Sequence, residues 1–212
     1  MNKPVIIINA SSIGRAALGI FKSNHIVVYG FLDDDKTLHG TEVEDVTVLG
    51  STDNKEFLNI IGKDCDVFIA SDDNKWKSTM IKSLRKQQKS MPVNAIHSSA
   101  NVSESAIIHH GSLINQGVMI GAGAEIGNHC LAHTGVIIDY NVRIGDFVQL
   151  GAGCIINSGA VIEDGAFIGS GANIIGGVTV KSGARVGAGS VVISDVNKNE
   201  TLFGNPATPI KK

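Results

Sequence analysis

A strict period of six residues constrains this chain more than any other feature. Counting in sixes from Ile96 to Val192 gives 17 positions, of which 16 are isoleucine, leucine or valine and the other is Ala132. Four places after each stands a small or short residue, from Ala100 and Ala106 through Ser112 and Cys130 to Ser190 and Val196. The place just before the small one is rich in glycine: Gly111, Gly117, Gly123 and Gly135, then Gly153 onward to Gly189. The frame never slips. Pleating puts the small residue, two before the next aliphatic, on the same face of a short strand. The glycine, or Asn141 in its place, takes a positive φ at a corner without a Cβ clash. Strand and corner three times over make a triangular coil of about 18 residues, and coils stack at about the 4.8 Å strand spacing. The reading is a parallel β-solenoid over residues 93–212, with "VNKNETLFGNPATPIKK" as a terminal cap.

Before Pro92 the period changes. "PVIIIN" reads as a buried strand, "SSIGRAALGIFKS" as an amphipathic helix and "HIVVYGFLDDD" as a second strand. After a looped stretch, "FLNII" suggests a short helix, "DVFIAS" a third strand, and "NKWKSTMIKSLRKQQ" a helix with a basic outer face. Strand–helix alternation predicts a small open parallel sheet, a Rossmann-like domain over 1–92. Its ligand crevice would lie beyond the carboxyl ends of the strands, at "NASSIG", "DDD" and "SDDN". The first is a degraded glycine loop, with Asn9, Ser11 and Gly14 at the places of GxGxxG, which argues against a nicotinamide-dependent oxidoreductase. The amides of Ser11 to Gly14 at a helix N-terminus remain a candidate phosphate seat. Asp33, Asp34 and Asp35 are either a solvated turn or acceptors for a ribose or base.

Charge and composition exclude several classes. A net charge of −2 leaves no electrostatic footprint for nucleic acid or an anionic membrane. No apolar run approaches the roughly 18 residues of a membrane span, and the N-terminus lacks the shape of a signal peptide, so a soluble cytoplasmic protein is expected. Three cysteines form no metal spacing, and Cys130 and Cys154 fall on the small inward position of the repeat, where core packing accounts for them. No metal site is expected.

A small α/β domain followed by an uninterrupted hexad solenoid resembles the sialic-acid O-acetyltransferase-like family, hexapeptide-repeat acyltransferases that include nucleotide-amino-sugar N-acetyltransferases. The resemblance covers nearly the whole chain, through "FLDDD", "SDDN", "HTGVIIDYNVRIGDFVQLGAG", "GAFIGSGANIIGGVTV", "VGAGSVVISDV" and "GNPATPIKK". It implies a left-handed parallel β-helix, an exception to the right-handed crossover rule. It also implies a homotrimer, acetyl-CoA as co-substrate in the groove between adjacent β-helices, and a nucleotide sugar held by the N-terminal domain. Gln149, Ser170 and Ala188 take the cofactor-contacting places. Ser11, Ser12, Ile13, Asp33, Asp34 and Ser71 take those of the acceptor pocket.

The catalytic places depart from the family pattern. The family's basic histidine and its polar partner align with Tyr140 and Asn141, a second histidine with Gln149 and a third with Ile13. Acyl transfer from a thioester needs a base for the nucleophile's proton and donors for the oxyanion. Tyrosine is a poor base near neutral pH but a usable hydrogen-bond donor. His133, seven residues before Tyr140, follows the inward Ala132, points out of the coil and is the candidate replacement base. His97, His109, His110 and His129 also lie off the inward positions. Two readings follow: an acetyl-CoA-dependent acyltransferase for an amine or hydroxyl on a nucleotide-linked amino sugar, or a catalytically impaired trimeric scaffold that binds acyl-CoA or nucleotide sugar.

Overall fold

The computed structural model describes residues 3–88 and 90–210 and divides into two compact units, 1–98 and 99–212. In the first, the run "VIII" forms β1 (Val5–Ile8), buried at every position, as expected of an interior strand of a covered sheet. Then follow α1 (Ser12–Ser23), β2 (Val28–Leu32), β3 (Glu42–Val43), β4 (Val46–Gly50), α2 (Lys55–Leu58), β5 (Asp66–Ile69) and α3 (Asn74–Gln88). The sheet runs β3-β4-β2-β1-β5, parallel except for β3, which lies antiparallel to β4. The expected looped stretch therefore holds a hairpin whose second strand adds to the sheet. The period-2 signal was too short to show it: β3 has only two residues, joined to β4 across Glu44 at φ 59°.

Helix α1 is capped by Ser11, whose hydroxyl accepts from the Gly14 amide at 3.4 Å, and it buries Ala17, Leu18, Ile20 and Phe21. Phe21 meets Phe68 of β5 edge-on, with ring centroids 5.9 Å apart. The glycine loop keeps only the glycine that packing requires. Asn9 itself takes the positive φ of 82°, while a Cβ on Gly14 would collide with the Asn9 carbonyl oxygen. The basic outer face expected of α3 needs one correction. Lys77 is fully buried, in one stripe with Ile81 and Leu84; Lys75, Lys82, Arg85 and Lys86 are exposed.

The second unit is a three-faced parallel β-helix. The first face stacks the strand pairs at 101–102, 119–120, 137–138, 155–156, 173–174 and 191–192. The second stacks 107–108, 125–126, 143–144, 161–162 and 179–180. The third runs through 113–114, 131–132, 149–150, 167–168 and 185–186 to Thr201–Gly204. Between the hexad strands every register step is 18 residues, such as Ile120 to Ile138 and Ile144 to Ile162, while the last step, Arg185 to Thr201, shortens to 16. Inward aliphatics are buried from Ile114 onward, whereas Val102 and Ile108 are half-buried because the first coil has a neighbour on one side only.

The corners take the positive φ that the repeat predicts, and not only at glycine. Between the second and third faces the column is Gly111, His129, Phe147, Gly165 and Gly183, all with φ between 58° and 72°. His129, expected to point outward, is only 3% exposed, because its ring packs on Phe147 of the next coil with centroids 5.2 Å apart. That contact helps offset the roughly 1–2 kcal/mol that a side chain costs in this backbone region. The terminal cap begins as a strand parallel to Arg185–Val186, then turns at Asn205–Pro206 into an antiparallel strand, Ala207–Pro209.

Candidate functional site

The 18-residue coil decides which outward side chains can share an edge. Tyr140 and Asn141 follow the 137–138 strand and stand on the edge between the first and second faces, with Tyr140 53% exposed. Its backbone amide donates to Asp139 Oδ1 at 2.8 Å. His133 follows the 131–132 strand and stands at the edge between the third and first faces, as do Ser170 and Ala188, which are one coil apart and exposed. Gln149 lies on the third face beside that edge. Within one chain the structure thus brings His133, Gln149, Ser170 and Ala188 to one side and holds Tyr140 and Asn141 at the far end of the first face.

The edge that carries Ser170 and Ala188 is flattened by a glycine column. A Cβ on Gly169 would lie 2.5 Å from the Ala188 nitrogen, and one on Gly151 would meet the Ser170 nitrogen. Side chains are excluded here, leaving a shelf of backbone and short residues along which an extended chain can lie. Beyond it the "GNPA" turn is tied in by a bond from the Gly204 amide to Ser190 Oγ at 3.1 Å.

In the first unit a crevice of about 160 Å³ opens at the carboxyl ends of β1, β2 and β4, lined by Asn9, Asp33, Asp34, Thr52 and Trp76. Asp33 accepts from the Ala10 and Asp35 amides, both at 2.8 Å, so its two oxygens bind the β1 and β2 loops together. Asp34 Oδ1 accepts from the amide and hydroxyl of Thr52, at 2.9 and 2.8 Å. Neither carboxylate is a merely solvated turn. The Asp35 carboxyl is held below its ordinary pKa, chiefly by the Thr37 hydroxyl. Ser11 donates to the Ala70 carbonyl and Ser71 is buried, accepting from the Asp73 amide. Of the amides from Ser11 to Gly14, two are already spent, on Asn9 Oδ1 and Ser11 Oγ. Ser12 is exposed and Ile13 half-buried at the start of α1, outside the crevice lining. Thr52 and Trp76 were not singled out in the sequence, and Asn9 only as a place in the degraded glycine loop. The signal for Thr52 lay in "GSTDN" after β4, a strand that the periodicity does not reveal.

A second groove, of about 520 Å³, lies on the second face of the β-helix. Glu125 there bonds His109 Nε2 at 3.1 Å and pairs with Arg143, and these hold its carboxyl below the ordinary range, His109 most. Glu163 is held low chiefly by the Ser182 hydroxyl. All three cysteines are buried thiols outside any disulfide, and burial pushes the Cys154 thiol up to about 12. Among the described residues no group of histidine, cysteine and carboxylate side chains could hold a metal ion, and no helix is long and apolar enough to cross a membrane.

A family model described as bacterial transferase hexapeptide (six repeats) matches residues 159–194. No curated protein matches the chain. Among solved structures, a histidine-to-alanine mutant of GDP-perosamine N-acetyl transferase from Caulobacter crescentus, in complex with CoA and GDP-perosamine, is 28% identical. The match covers 99% of this chain and 97% of that one, with a TM-score of 0.88. The acetyltransferase domain of PglB from Neisseria gonorrhoeae, in complex with acetyl coenzyme A, is 27% identical over 99% of this chain and 100% of its own, at 0.89. WeeI from Acinetobacter baumannii shares the fold, at 24% identity over 98% and 99% of the two chains and a TM-score of 0.85. By its repeat and along its whole length, the chain is similar to the hexapeptide-repeat, left-handed β-helix acetyltransferases of nucleotide-linked amino sugars.

Proposed function

We propose that the chain is an acetyl-CoA-dependent acyltransferase whose acceptor is an amine or hydroxyl on a nucleotide-linked amino sugar. The observation that carries this reading is the full-length match, through both units, to a transferase holding CoA and a nucleotide sugar together. Under it, the glycine-flattened edge with Gln149, Ser170 and Ala188 receives the cofactor arm. A Rossmann-like N-terminal domain, residues 1–92, takes the nucleotide through Ser11, Ser12, Ile13, Asp33, Asp34 and Ser71. The acceptor lone pair attacks the thioester carbon, His133 takes the acceptor proton, Tyr140 donates to the developing oxyanion, and the carbon–sulfur bond breaks to release CoA. Asn141 holds the corner beneath Tyr140.

His133 and Tyr140 occupy opposite edges of the first face, so they meet only if one copy's edge docks against the other edge of a neighbour. In a closed ring of three, that docking turns the first faces toward the symmetry axis. Met119, Ile137, Ile155 and Val191 point outward from that face, and this apolar stripe suits burial between copies. The test is CoA release with a panel of nucleotide amino sugars. His133→Ala and Tyr140→Phe are each expected to lower kcat, and co-assembly of the two variants to restore about a quarter of wild-type activity. The replaced histidines favour a second reading, a binding scaffold. Cofactor binding without turnover across the panel would establish it and remove the first.

A further inference from the structure

The crevice at the strand ends adjoins a larger cavity, with Thr52 and Trp76 in the wall of each. This second cavity, of about 380 Å³, lies between α2 and α3. Trp76, Thr79, Met80 and Ser83 recur at spacings of three and four, so they form one stripe of α3 facing it. Leu58 supplies apolar surface from α2, while Asp53 and Lys55 bring one charge of each sign. Trp76 is half-buried at the junction, with its amide fixed by Asp73 Oδ1 at 3.0 Å. A partly exposed indole walling a slot beside a polar crevice is a stacking platform for a planar ring.

We propose that Trp76 is the stacking wall of a nucleobase seat in this α2–α3 cavity, and that Asp53 and Lys55 read the edge of the base and select a 6-oxopurine nucleotide. A 6-oxopurine offers acceptors at O6 and N7, which suit a lysine ammonium, and a donor at N1, to which guanine adds the 2-amino group, which suits a carboxylate. Adenine puts an amino donor where Lys55 needs an acceptor, and an acceptor where Asp53 needs a donor. Uracil keeps the favourable order but has one ring, and so covers less of the indole. The inference rests on the nucleotide-sugar reading above and names the base.

Trp76 is the only tryptophan of the chain, so its fluorescence reports on the seat directly. The experiment titrates the full-length protein with GDP, IDP, UDP and ADP, following indole emission and, in parallel, calorimetric heat. GDP should quench saturably and bind about tenfold tighter than IDP, the loss of one charge-assisted hydrogen bond, with ADP weaker still. D53N should erase the preference for GDP over IDP. Trp76→Ala should weaken GDP at least about fivefold, whereas Trp76→Phe, read by calorimetry, should stay within a few-fold because a ring remains. Equal affinity for GDP and ADP, or calorimetric binding with no change in indole emission, overturns the base assignment and leaves the transferase reading standing. No heat with any nucleotide overturns both.

Discussion

At the scale of single residues, two positions are governed by what a Cβ or a thiol would meet. Gly14 faces the Asn9 carbonyl across the β1–α1 turn. Gly14→Ala is therefore expected to destabilise the first unit by about 1–3 kcal/mol, the usual range for overpacking, seen as a lower urea midpoint at unchanged m-value. Burial raises the Cys154 pKa to about 12, so the reactive thiolate is scarce in the native state. Native protein at pH 8 should leave Cys154 unlabelled by a thiol reagent, and urea should make it react; rapid native labelling at that residue would contradict the packing described. The inward placing of Cys130 and Cys154 was legible from the repeat. The burial of His129 was not, because a corner position defined by glycine says nothing about a ring that folds back over the neighbouring coil.

At the scale of elements, the coils are joined by ladders of side chains as well as by strand pairing. Asp146 Oδ1 accepts from the Asn128 amide at 2.7 Å, and Asp164 Oδ1 from the Asp146 amide at 2.8 Å, each one coil apart. Glu125 and Glu163 extend this pattern, and both carboxyls are held below their ordinary 4.5. A lowered folded-state pKa means that their contribution is complete above the unfolded value. It is lost as pH falls through the folded one. Thermal stability should accordingly decline below about pH 4.5, and Glu163→Gln should make the decline shallower; both residues are only half-buried, so solvent screens them and the change is expected to be small. Stacking of the strands could be read from the aliphatic period alone. The β3–β4 hairpin could not, since two residues carry no alternation, and with it went the placing of Thr52 beside Asp34.

At the scale of the whole molecule, the hexad frame announced the three-faced solenoid, and its arithmetic also contains the separation of Tyr140 from His133. Seven residues is slightly more than one face, so those two side chains belong to different edges. The fate of Lys77 shows the opposite case, where a lysine at a buried helical position outruns any pattern of polarity. The arithmetic can be tested by deletion. Removing residues 152–169, one full coil, sets Ser170 directly after Gly151 on its original edge, and CoA affinity should survive in a folded protein of lower Tm. Removing 155–160 keeps the aliphatic rhythm but carries Ser170 and Ala188 to the edge between the second and third faces, so CoA binding should vanish while the far-ultraviolet β signal persists. In hereditary terms, slippage in the coding sequence goes unpunished only when it adds or drops roughly 54 nucleotides. Every shorter in-frame change twists the later part of the prism against the earlier, which makes the length of such a gene far less free to drift than its spelling.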